Sequence, residues 1–108
     1  MRPVFYVSRA VARHMIAQGR GGVIINLSSI HATLSEPNAG PYTAAKGGVE
    51  AFSRTMATEL APWRVRVNCL APGATYSELT TPMYTDAVKA ALFQRVPMKE
   101  IAQPEWIA

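Results

Sequence analysis

Tyr42 and Lys46 stand four residues apart in the stretch YTAAK, downstream of a serine pair, Ser28 and Ser29, that closes the apolar run GVIINL. Four residues is about one helical turn, so on a helix a phenol and an ammonium at this spacing share a face. A free phenol titrates near pH 10 and is a poor proton carrier at neutrality. An ammonium about 4 Å from a phenol favours the phenolate by roughly 4 kcal/mol at an effective dielectric near 20. A helix N-terminus just before Tyr42 would add partial positive charge of the same sign. Such a phenol can give a proton to a carbonyl oxygen as it becomes an alcohol, or take one back. Ser29, donating without carrying charge, is placed to orient and polarise that carbonyl. No base is placed to make the serine a nucleophile, and His31 is too near Ser29 in sequence to be assumed its partner. Each feature alone has an ordinary account: a chance Tyr–Lys pair, strand-end hydroxyls, Asn68 as a satisfied strand amide, Pro72-Gly73 as a turn.

The surrounding elements decide whether these residues can meet. From Pro3 to about Gln18, the apolar residues Val4, Val7, Val11 and Met15 recur at helical intervals, and Gly19 ends the pattern. GVIINL reads as a strand buried on both faces, as parallel sheets require. SSIHATLSEPNAG is loop by composition. A second helix is expected from Pro41 to about Leu60, with Val49, Phe52, Met56 and Leu60 on one face and small residues around its first turns. RVRVNCLA is a second strand, PGATYSELTTP a loop, MYTDAVKAALFQRV a shorter helix, and QPEWIA the first turn of another. Strand, helix, strand in this order makes a βαβ crossover with parallel strands. The fold class is therefore α/β, in the order helix-strand-helix-strand-helix. Ligands of open parallel sheets bind beyond the carboxyl ends of the strands, which is where Ser28, Ser29 and the loop after Asn68 leave. A two-stranded parallel sheet also leaves faces and edges that so few helices cannot cover, so the chain reads as part of a larger α/β domain.

Bulk properties narrow the function classes. The chain has 108 residues, 49% of them hydrophobic, and a net charge of +4, but its eleven basic residues are scattered without a run or an aromatic-interleaved patch. No nucleic-acid partner is expected. A single cysteine, Cys69, rules out an internal disulfide and reads as a small buried strand residue, and no metal-ligand cluster stands out. The N-terminal stretch is interrupted by Arg2, Arg9 and Arg13, so no signal peptide or membrane span is expected there and a cytoplasmic setting is the expectation.

Together, GGVIINLSS, YTAAKGGVEAFSRTMATELA, RVRVNCLAPG and QPEWIA, in this order, resemble the classical branch of the short-chain dehydrogenase/reductase family over nearly the whole chain. The family's catalytic serine lies thirteen residues before its tyrosine, which selects Ser29 over Ser28. The resemblance implies that Ser29 polarises the substrate carbonyl and Tyr42 is the general acid/base. Lys46 would then favour the phenolate and bond the nicotinamide ribose. Asn26 and the Ser28 backbone would sit beside the cofactor, NAD or NADP. Pro72, Gly73, Ala74 and Thr75 match the loop that passes the nicotinamide, with the Thr75 backbone meeting its carboxamide. Ser77 falls where the family usually has threonine, and His31 where it lines the substrate pocket together with Ser29 and Tyr42. The implied reaction is reversible hydride transfer between NAD(P)H and a small carbonyl compound or secondary alcohol.

The resemblance also marks what this sequence lacks: the glycine-rich fingerprint for the dinucleotide pyrophosphate, the ribose selector, an asparagine expected just before Met1, and the last strand. Residues 1–108 are thus expected to be a partial Rossmann-fold catalytic segment, middle to C-terminal in a longer enzyme, with Met1 an internal methionine. The dinucleotide-binding half would be absent, and the isolated chain should lack full NAD(P)H affinity. Within the enzyme class, a 3-oxoacyl carrier-protein reductase stands against a sugar or sugar-acid dehydrogenase. His31, Leu34, Asn38 and the loop 76–83 should choose the substrate. In the family the first two helices form a dimer interface, implying a homo-oligomer for the full-length enzyme. A non-enzymatic, dimerising segment is the alternative.

Overall fold

The computed structural model describes residues 1–34 and 36–108. They form two compact units, Met1–Ala71 and Pro72–Ala108. In the first, helix α1 covers Arg2–Gln18, strand β1 Gly22–Leu27, helix α2 Gly40–Leu60 and strand β2 Val65–Leu70. In the second, helix α3 spans Asp86–Arg95, and 3-10 turns cover Thr81–Met83 and Pro104–Trp106. The expected order of helices and strands is present. The helix expected over 83–96 is trimmed, because Thr85 caps it by accepting from the Val88 N–H at 3.3 Å. Of the two stretches expected to be loop, the described residues of SSIHATLSEPNAG hold a short 3-10 turn, Ile30–Ala32, capped by Ser29, and PGATYSELTTP runs into the 3-10 turn Thr81–Met83.

β1 and β2 pair in parallel, residue by residue from Gly22↔Val65 to Leu27↔Leu70, and α2 is the crossover between them. Ile24, Val65 and Val67 meet Ala12 of α1 and Met56 and Leu60 of α2 in one core, flanked by Met15, Ile16, Phe52 and Ala57. Both helices approach one face of the sheet: Ser8 of α1 and Ser53 of α2 both hydrogen-bond the side chain of Asn26 in β1.

The expectation that β1 is buried on both faces is corrected here. Side chains alternate across a strand, and with both helices on one side, Val23, Ile25 and Leu27 are left exposed, Ile25 at 65%. The stripe expected for α1 is corrected as well. Val4 and Met15 turn inward, but Val7 is 62% exposed and Val11 is exposed too. The buried positions between them are Ser8 and Ala12. On α2 the expected stripe holds, with Val49, Met56 and Leu60 buried and Phe52 half-buried against Phe5.

The turn into β1 depends on one glycine. Gly21 has φ +73°, and a Cβ there would lie 2.6 Å from the Arg64 main-chain oxygen, which itself accepts from the Gly22 N–H. Gly19, at φ +67°, has nothing within 4 Å of the equivalent position. Gly19→Ala therefore meets only the left-handed backbone cost, on the order of 1 kcal/mol. Gly21→Ala is expected to lower the urea midpoint further, because the neighbour it meets is backbone. Equal midpoints for the two variants would show that the Gly21–Arg64 approach is unimportant.

Among the described residues, no helix is long and apolar enough to cross a membrane.

Candidate active site

The first unit gathers the expected proton-transfer residues where β1 ends and α2 begins. β1 delivers Ser28 and Ser29 at its carboxyl end, both buried. The two serines have different partners. The Ser28 hydroxyl turns toward α2, with Glu50 Oε1 at 3.0 Å and the Lys46 main-chain oxygen at 3.3 Å as its acceptors. The Ser29 Oγ accepts from the His31 main-chain N–H at 3.2 Å, capping the 3-10 turn. A hydroxyl that accepts in this way keeps its own proton for another acceptor. That is the role a carbonyl-polarising serine needs.

Proline at the start of α2 sets the backbone that begins Gly40–Leu60, and Tyr42 lies in its first turn, 49% exposed. Its ring meets the His31 imidazole edge-on, with centroids 6.1 Å apart. One turn later, Lys46 Nζ lies over the Tyr42 ring at 5.7 Å from the centroid, so the shared helix face is realised. The same ammonium donates to the Leu27 main-chain oxygen at 3.0 Å. Lys46 therefore ties the end of β1 to α2 twice, through its ammonium and through the carbonyl that Ser28 reaches. One contact path runs Ser29, His31, Tyr42, Lys46. Among the described residues, His31 Nδ1 is buried and has no hydrogen-bond partner.

Asn26, expected beside a cofactor, has a buried side chain engaged at both ends. Its Oδ1 accepts from Ser8 Oγ at 3.2 Å, and its Nδ2 donates to Ser53 Oγ at 2.8 Å. Ser53 passes its own proton to the Val49 carbonyl at 2.8 Å. The sequence reading missed Ser8, Ser53 and Glu50. The signal for the two serines was present: both interrupt apolar faces of helices, where a hydroxyl must find a partner.

The second unit carries the other expected cofactor residues. Ala74 O accepts from Ala102 N–H, and Tyr76 N–H donates to Ala102 O, which makes a parallel bridge at Thr75. The Gly73 carbonyl accepts from the Thr75 hydroxyl at 3.1 Å, and Pro72 opens the segment. Thr80 Oγ1 donates to the Thr75 carbonyl at 2.6 Å, so the Ser77 hydroxyl must donate in its own 2.8 Å contact with Thr80. The Thr75 N–H, expected to meet a carboxamide, donates to the Tyr84 hydroxyl at 3.1 Å. Tyr84 is a further residue that the sequence reading did not single out for chemistry.

Comparison with known proteins points in one direction. A short chain dehydrogenase family model matches residues 1–87. A 3-oxoacyl-(acyl-carrier-protein) reductase of Chlamydia pneumoniae is 38% identical over 105 residues, covering 97% of this chain and 42% of that protein. The gluconate 5-dehydrogenase of Gluconobacter oxydans is 43% identical over 83 residues, covering 77% of this chain and 32% of that protein. The crystal structure of a gluconate 5-dehydrogenase from Burkholderia cenocepacia, in complex with NADP and tartrate, superposes with a TM-score of 0.86 at 39% identity. It covers 93% of this chain and 39% of that one. The chain thus spans about two-fifths or less of the length of these relatives.

Proposed function

The chain belongs to the short-chain dehydrogenase family, and on that premise we propose that residues 1–108 are the proton-transfer segment of an NAD- or NADP-dependent oxidoreductase. The whole protein would interconvert a carbonyl and a secondary alcohol on a small molecule in the cytoplasm. The observation that carries this is the continuous contact path from Ser29 through His31 and Tyr42 to Lys46.

The residues of the first unit suit a nicotinamide nucleotide. Lys46 uses one of its three N–H donors on Leu27, which leaves donors for a vicinal diol such as ribose. The Ser28 main chain stands at the strand end, where such ligands lie. When bound, the nicotinamide supplies or accepts the hydride. Everything else is the work of side chains. Ser29 donates its free hydroxyl proton to the carbonyl oxygen and holds it in place. Tyr42 transfers a proton to that oxygen in reduction and removes it in oxidation. Lys46, over the Tyr42 ring, fixes the direction of the phenol. Pro72, Gly73, Ala74, Thr75 and Ser77 are assigned to the nicotinamide side of the cofactor on their sequence resemblance.

The substrate reading favoured is a hydroxylated acid of the gluconate type, supported by the likeness to two gluconate 5-dehydrogenases. A 3-oxoacyl thioester is the second reading, supported by the likeness to the Chlamydia pneumoniae reductase. A homo-oligomer is proposed because α1 leaves the large apolar side chains of Phe5, Tyr6 and Val7 exposed.

The test uses a chimera in which this chain replaces the matching segment of the Burkholderia cenocepacia enzyme. Ser29→Ala in that chimera is expected to lower kcat/KM on gluconate by about 100-fold, the usual effect of removing one oxyanion donor. NADP binding should be unchanged. Full activity in the variant would sink the assignment. Turnover of a 3-oxoacyl thioester in place of gluconate would favour the second reading.

A further inference from the structure

The Tyr84 hydroxyl engages, from within the chain, main-chain groups of Thr75, a residue that the proposed function assigns to the nicotinamide side of a ligand. Its hydroxyl accepts from the Thr75 N–H at 3.1 Å and lies 3.3 Å from the Thr75 carbonyl, to which it donates. A single phenolic oxygen thus offers one residue both an acceptor and a donor. A primary carboxamide presents the same pair, a C=O that accepts and an N–H that donates. The ring is held by an edge-on contact with Tyr76, with centroids 5.5 Å apart. The Thr75 carbonyl is further fixed by Thr80 Oγ1, and its strand position by the bridge to Ala102. The main-chain groups of Thr75 are therefore aimed and rigid, but they are not free.

We propose that Tyr84 is an internal stand-in for the carboxamide, and that a primary carboxamide ligand binds at Thr75 by exchanging with the Tyr84 hydroxyl. The proposal rests on the assignment of Thr75 to the nicotinamide and adds a competitor to it. Exchange keeps the Thr75 N–H satisfied in both states. A buried or half-buried N–H left empty would carry an unfavourable desolvation term. The consequence is a site whose affinity is discounted by its own closed form, so that removing the phenolic oxygen should strengthen ligand binding.

The test is carried out on the full 108-residue chain by NMR, with nicotinamide as the probe. Tyr84→Phe keeps the ring and its contact with Tyr76, and removes only the oxygen. Thr75 amide exchange is expected to rise about tenfold, and the half-saturating nicotinamide concentration to fall three- to tenfold, the worth of one hydrogen bond. Tyr76→Phe is the control and should change neither. In the unmodified chain, nicotinamide should shift the Thr75 amide and the Tyr84 ring together, which tests the exchange even if Tyr84→Phe folds poorly. Nicotinate, which keeps acceptors and lacks the donor, should shift them less.

Unchanged Thr75 exchange in Tyr84→Phe overturns the contact, and faster exchange without tighter binding overturns the competition. Equal shifts from nicotinamide and nicotinate overturn the amide assignment. None of these outcomes touches Ser29 or Tyr42. Failure of the catalytic assignment would appear in the Ser29→Ala chimera, with Thr75 and Tyr84 still responding to nicotinamide.

Discussion

Replacing Tyr42 by phenylalanine in the gluconate 5-dehydrogenase chimera is expected to reduce kcat about 1,000-fold, with KM for NADP little changed. The size follows from the loss of a positioned proton donor, which contributes roughly 100- to 10,000-fold. A 1,000-fold loss corresponds to about 4 kcal/mol of transition-state stabilisation. The substitution is specific because the two contacts of the ring survive it. The edge-on meeting with His31 and the ammonium of Lys46 over the ring both involve the aromatic face and edge, which phenylalanine retains. Lys46→Met would be a poorer probe, since the same ammonium also holds the Leu27 carbonyl and its removal would loosen the end of β1. A Tyr42→Phe chimera with a kcat within a few-fold of the parent would exclude the phenol as the acid/base.

The sequence made the Tyr42–Lys46 pair legible because the two residues lie on one helix, where geometry follows from spacing alone. Their environment was harder to read. The main-chain N–H of His31 donates to Ser29 Oγ, and a main-chain contact leaves no mark on residue type. Tyr84 was hidden for a similar reason, since its partner is the backbone of a residue nine positions away.

The misread α1 stripe has a different cause. Val4, Val7, Val11 and Met15 are the more apolar row, but the sheet takes Ser8, Ala12 and Met15, two of them small. Small side chains let a helix approach a strand closely, and apolarity counts give them little weight. Val7 of the exposed row is shared with the surface on which oligomerisation is proposed. β1 was misread because an apolar residue signals only that burial would be favourable. Which face is covered depends on where the helices lie, and here both lie on one side.

Asn26 separates structure from ligand binding most sharply, and Asn26→Leu is expected to lower stability by about 1–3 kcal/mol, read as a shift of the urea midpoint. Leucine has nearly the shape of asparagine, so little cavity is made. The loss comes from the partners left behind in the interior. Ser53 loses a donor at 2.8 Å, while its own proton remains on the Val49 carbonyl. Ser8 loses its acceptor at 3.2 Å and must turn back to its own helix, a weaker arrangement. Replacing all three polar groups, as Ser8→Ala, Asn26→Leu and Ser53→Ala together, removes the unpaired atoms and should recover much of the loss. An additive, larger destabilisation in the triple variant would show that the network is not what Asn26 contributes. In the chimera the same triple variant should keep the parent KM for NADP, because both polar ends of the Asn26 amide are engaged by helices on the covered face of the sheet. A KM that rises with Asn26→Leu and stays high in the triple variant would support the expected place of Asn26 beside the cofactor and make the serine network incidental.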